Sequence, residues 1–72
     1  MYLYLPVKEQ LYHPDLGYYE SYGLAAHLSA GQLAFVSDVS PDLALVQGLA
    51  QQCTVGQLAP SQLEDVVLNF LA

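Results

Sequence analysis

The chain has 72 residues, one lysine, no arginine and seven carboxylates, for a formal net charge of −6, yet 54% of it is hydrophobic. Gripping phosphate takes several Lys or Arg side chains, so this balance excludes nucleic acid and anionic membrane surfaces as partners. The apolar content is far above that of disordered chains, and the length sets one domain over residues 1–72. A domain this small buries only about 60–65% of the surface its unfolded chain exposes. Cys53 is the single cysteine, so no intrachain disulfide can staple the fold. Good packing or self-association must stabilise it.

Residues 2–12 alternate with a period of two, which predicts a strand. The set Leu3, Leu5, Val7, Glu9 and Leu11 is expected inward. Tyr2, Tyr4, Pro6, Lys8, Gln10 and Tyr12 are expected outward. Pro6 cannot donate to a ladder, which places this strand at an edge or breaks it there. His13-Pro14-Asp15-Leu16-Gly17 has the composition of a hairpin turn, with Gly17 left-handed. Tyr18 to His27 reads as a second strand with Tyr22, Leu24 and Ala26 on the core face, and Gly23 marks a bulge or a close backbone approach. Leu28-Ser29-Ala30-Gly31 is the next turn, and Gln32 to Val39 a third strand.

The period then changes. Ser40-Pro41-Asp42 opens a helix, with Ser40 as the cap and Pro41 at the first helical position. Leu45, Val46, Leu49 and Cys53 follow at helical spacing, and Gly56 ends the run. A second helix opens near Pro60. Its stripe is Leu63, Val66, Val67, Phe70 and Leu71. The fold class expected is α+β: a three-stranded antiparallel meander followed by two helices packed on one face. The core expected is Leu3, Leu5, Val7, Tyr22, Leu24, Phe35, Val39, Val46, Leu49, Leu63, Val66, Val67 and Phe70.

From Tyr19 onward the layout is Tyr19-x-x-Tyr22-Gly23-Leu24, Asp38-Val39-Ser40-x-Asp42, Val46-x-x-Leu49, Cys53, Leu58-x-Pro60-x-x-Leu63 and Asp65-Val66-Val67-x-x-Phe70-Leu71. This resembles a family of small uncharacterised proteins from anaerobic Gram-positive bacteria, known only as a domain of unknown function. Two positions depart from that pattern: Ala59 where a capping Asp precedes Pro60, and Asn69 where the last turn is acidic. The resemblance implies the element order and brings no activity.

No residue set points to catalysis. Asp38 and Asp42 flank a helix start and suit a turn and a helix terminus better than an acid/base pair. His13 and His27 sit at opposite ends of a strand spanning roughly 30 Å, too far apart to share a metal within one chain. Cys53 falls near a helix C-terminus, where the dipole disfavours a thiolate, and reads as a small buried hydrophobe. The chain is therefore expected to be no enzyme and to need no cofactor or metal.

Tyrosine is the sharper feature. Six of the eight aromatics are Tyr, and five of them (Tyr2, Tyr4, Tyr12, Tyr18, Tyr19) lie on the first hairpin outside the expected core. An uncovered sheet face bearing Tyr2, Tyr4 and Tyr19 beside Lys8 would suit protein recognition, where Tyr is enriched. The expected function is a protein-interaction module that pairs with a protein partner or with itself as a homodimer, through that face or a strand edge. The alternative is an acidic decoy for a basic groove of a nucleic-acid-handling protein, which requires Glu9, Asp15, Glu20, Asp38, Asp42, Glu64 and Asp65 to line one face. With a free thiol, no basic leader and no apolar run of about 20 residues, the cytoplasm is the expected compartment.

Overall fold

The structure, a computed structural model, describes residues 1–29 and 31–72. Strands β1 (Leu3–His13), β2 (Gly17–Leu28) and β3 (Gly31–Ser40) form one antiparallel sheet in the order β1-β2-β3. Helix α1 (Leu43–Val55), a 3₁₀ turn (Pro60–Gln62) and helix α2 (Leu63–Leu71) follow. The helices lie on one side of the sheet, α1 chiefly over β1 and β2 and α2 over β3. This is the β-β-β-α-α layout expected. No helix among the described residues is long and apolar enough to cross a membrane.

The turns and caps explain the boundaries. Leu16 N–H donates to His13 C=O at 3.0 Å, and Gly17 closes the turn at φ +73°. The second turn includes Ala30, which lies outside the described residues; within it Ser29 stands at φ +55°. Helix α1 starts two residues later than the Ser40 cap predicts. Asp42 is the cap: its Oδ1 accepts from Ala44 N–H at 3.0 Å, while Ser40 Oγ accepts from Asp42 N–H at 3.1 Å. Gly56 does end α1, but Gln57 takes the left-handed conformation, at φ +49°. Pro60 opens the 3₁₀ turn, which delays α2 to Leu63.

Register decides which residues form the core. His13 pairs with Gly17, so odd residues of β1 face odd residues of β2 along the whole hairpin: Leu3 with His27, Leu5 with Ala25, Val7 with Gly23. Tyr4 therefore shares a face with Ala26, Pro6 with Leu24, and Lys8 with Tyr22. The helices cover this even face. Its core is Tyr4, Leu24, Ala26, Val39, Val46, Leu49, Ala50, Cys53, Leu63 and Val67, with Tyr2, Tyr22, Val36, Leu58 and Val66 packed around it. The inward assignment of Leu3, Leu5, Val7 and Phe35 is thus overturned. All four lie on the face without helices, where Leu3 is 47%, Leu5 43% and Phe35 39% exposed and Val7 half-buried. A one-residue difference in parity moves every side chain of a strand to the other face. Phe70, also expected in the core, is 40% exposed, and α2 fully buries only Leu63 and Val67.

Candidate functional site: an uncovered apolar sheet face

The uncovered face is built by alternation. Leu3, Leu5, Val7, Glu9 and Leu11 come from β1, His27, Ala25, Gly23, Ser21 and Tyr19 from β2, and Phe35 from β3 opposite Ala25. The central strand carries small residues here, and its neighbours lean over them. Ala25 and Ser21 are completely buried although no helix covers them. The Phe35 ring lies across Gly23, where an added Cβ would meet ring carbons at 2.6 and 2.7 Å and Val36 C=O at 2.7 Å. Gly23 is thus a close approach, as its place inside a strand suggests.

One end of this face is polar. Opposite Gly23 the register of β3 shifts, and Asp38 adopts φ +55°. The Asp38 carboxylate accepts from Tyr19 OH at 2.8 Å and from Ser21 Oγ at 2.6 Å. The Glu9 carboxylate accepts from Ser37 Oγ at 2.7 Å and from Asp38 N–H at 2.9 Å. Together these bonds tie the bulged backbone of β3 to β1 and β2. Donation to Asp38 also raises the Tyr19 phenol above its ordinary value. The opposite end of the face carries His27, partly buried and paired with Leu3.

The tyrosines separate into three places. Tyr2 and Tyr4 are under the helices, Tyr4 only 2% exposed, so the expected surface of Tyr2, Tyr4, Lys8 and Tyr19 does not form. Tyr19 is on the opposite face from the other three, and exposed Lys8 instead pairs with Glu20 at 3.5 Å. The physical reason is that Tyr4 can satisfy its hydroxyl inside, by donating to Leu58 C=O. Burial, then the nearby Cys53 and Tyr2, raise its pKa. Tyr12 and Tyr18, which alternation places beyond the helices, meet edge-to-face at 5.1 Å and are 61% and 75% exposed. The apolar patch of Leu3, Leu5 and Phe35 belongs to the residues whose alternation predicts an inward face.

The strand edges are partly obstructed. Tyr2 N–H donates to Gln57 Oε1 at 2.8 Å, Gln57 Nε2 donates to Tyr2 C=O at 3.0 Å, and Tyr4 N–H donates to Thr54 Oγ1 at 3.0 Å. By alternation Pro6, which has no N–H, takes the next outward position on β1, and Lys8 the one after. On β3, two register shifts split the pairing with β2 into Gly31 and Gln32, Ala34 to Val36, and Ser40. The strand edge expected as a pairing surface is therefore short and interrupted.

Among the described residues, the candidate acid, base and thiol side chains lie apart. Asp42 is occupied as the α1 cap and Asp38 in the bulge. His13 accepts from Asp15 N–H at its own turn, and His27 lies at the other end of the hairpin. Among the described residues no three His, Cys, Asp or Glu side chains converge. Cys53 is buried, burial raises its thiol pKa, and the groove beside it, lined by Leu49, Gln52, Gly56, Leu58 and Val66, holds about 220 Å³. That is below the size of ordinary ligand pockets. An expected result follows: a thiol-alkylating reagent leaves native Cys53 unmodified and labels it only at the rate of unfolding. Rapid labelling of the folded chain would show the thiol to be accessible.

No family model, no curated protein and no solved structure matches this chain.

Proposed function

We propose that this protein is a non-enzymatic protein-interaction module that binds through the uncovered face of its sheet. One observation carries the reading: Leu3, Leu5 and Phe35 stand 39–47% exposed on a sheet face that no helix covers. Contiguous apolar patches of a few hundred Å² on small proteins mark places where other molecules bind. The closely packed floor of Ser21, Gly23 and Ala25 keeps that face stiff, which lowers the ordering cost of binding. The −6 charge keeps such a surface from associating indiscriminately.

The acidic-decoy alternative has little to support it. Glu9 and Asp38 lie on the uncovered face, Asp15 at the hairpin tip, Glu20 on the other face, Asp42 at the start of α1, and Glu64 and Asp65 in the first turn of α2. They make no single acidic face.

The test compares binding by the wild-type chain with binding by Leu5→Lys and by Leu45→Lys, an exposed position on α1. Both variants should keep the wild-type circular dichroism. A protein retained by wild type and by Leu45→Lys but lost with Leu5→Lys is the expected result. Equal retention by all three, or loss with Leu45→Lys alone, would contradict the reading.

A further inference from the structure

We infer that the occupant of the uncovered face is a second copy of the chain, packed sheet to sheet about a two-fold axis with the strands of the two copies antiparallel. The inference rests on the functional reading above and names its partner.

Obstructed strand edges favour the face. Thr54, Gln57 and Pro6 obstruct the Tyr2 to Pro6 stretch of the β1 edge, Lys8 sets a charge beside it, and two bulges interrupt β3 on either side of Ala34 to Val36. Association therefore runs through the face. A two-fold contact between identical faces closes on itself and stops at the dimer.

Charge gives the second argument and the orientation. Along β2 the face runs from His27, through Ala25 and Gly23, to Ser21, which Glu9 flanks from β1 and Asp38 from β3. The midpoint between His27 and Ser21 falls at Leu24, beside the apolar centre of Leu5, Val7, Ala25 and Phe35. An in-plane two-fold across the strands at that point sets each His27 over the partner copy's Ser21 end, between its two carboxylates. An axis along the strands would instead bring each carboxylate pair onto the other. In the first arrangement the His27 imidazole can donate a hydrogen bond to those carboxylates, whereas the second sets carboxylate against carboxylate.

Area is the third argument and sets the strength. The chain exposes 4740 Å², whereas a globular monomer of 7.8 kDa exposes about 4,400 Å². Three strands at the usual spacing over nine residues offer a footprint on the order of 430 Å². That is about half of the roughly 800 Å² per partner in a standard interface. The dimer is accordingly a weak one, with a dissociation constant in the micromolar range or above.

Sedimentation equilibrium of the full 72-residue chain, from low micromolar to millimolar concentration, tests this. Wild type should pass from monomer to dimer with no larger species. Leu5→Lys should remain monomeric, and Leu3→Lys, nearer the end of the strand, should weaken the dimer at least tenfold. His27→Lys should tighten it several-fold at low salt, because the ammonium lands between Glu9 and Asp38 of the other copy. A monomeric wild type at millimolar concentration overturns the proposal. If that monomer still binds another protein in a Leu5-dependent way, the interaction-module reading survives without self-association. Weakening by His27→Lys overturns the antiparallel arrangement, and a dimer unaffected by Leu5→Lys and Leu3→Lys overturns the face.

Discussion

Tyr4→Ala should destabilise the fold by about 3–5 kcal/mol, the usual cost of truncating a buried aromatic to alanine. Tyr4 is 2% exposed in the main core cluster and its hydroxyl donates to Leu58 C=O, so the change opens a cavity and leaves that carbonyl unpaired. Total stability for a chain of this length is about 4–11 kcal/mol, so the variant sits close to unfolding. Tyr4→Phe keeps the ring and should lose only about 1 kcal/mol. Leu5→Ala, one residue away but 43% exposed, should lose less than about 1.5 kcal/mol at concentrations where the chain is monomeric. Denaturant midpoints of the three variants check the order. If Leu5→Ala costs more than Tyr4→Ala, the assignment of the two faces is wrong.

The same residue sets an alkaline limit. Burial raises the Tyr4 pKa above 10.0 in the folded chain, so the folded state holds its proton more tightly than the unfolded state. The contribution is complete below the unfolded pKa and is lost as pH rises through the folded one. Stability should therefore fall above about pH 10, and Tyr4→Phe should flatten that fall. Phenolate absorbance followed alongside unfolding checks it.

Gly23→Ala is the second large effect, near 3 kcal/mol, at the top of the usual range for overpacking. The new Cβ would stand 2.6–2.7 Å from the Phe35 ring and 2.7 Å from Val36 C=O. The ring can turn away, but the carbonyl belongs to the β2–β3 ladder beside the Leu24–Val36 pair and cannot move without loosening it. Phe35→Ala should consequently rescue Gly23→Ala in part and not fully, which a double-mutant cycle measures. Complete rescue would show that the ring alone sets the constraint.

Element order was legible because each element announces itself locally: a period of two in the strands, Pro14 to Gly17 in the turn, Ser40 to Asp42 before α1. Which face of β1 turns inward was not, since both alternating sets are apolar enough to bury. What decides it is remote: Gln57, Thr54 and Leu58 take up the backbone of Tyr2 and Tyr4 and the hydroxyl of Tyr4 from more than 49 residues away. The first turn does carry a signal. With three residues between His13 and Gly17, odd positions must face odd positions, so Leu5 and Leu24 could never share one core. The bulge at Asp38 was hidden for a different reason. A non-glycine residue at positive φ is held there by Glu9, Tyr19 and Ser21 on other strands, and nothing in its own neighbours requires it.

Solvent paramagnetic relaxation of the methyl groups, on a sample dilute enough to be monomeric, tells the two sheet faces apart. A water-borne paramagnetic probe should broaden the methyls of Leu3 and Leu5 strongly. It should spare Leu24, Val46, Leu63 and Val67, each no more than 2% exposed. Equal protection of Leu3, Leu5 and Leu24 would place Leu3 and Leu5 beneath the helices and remove the binding face.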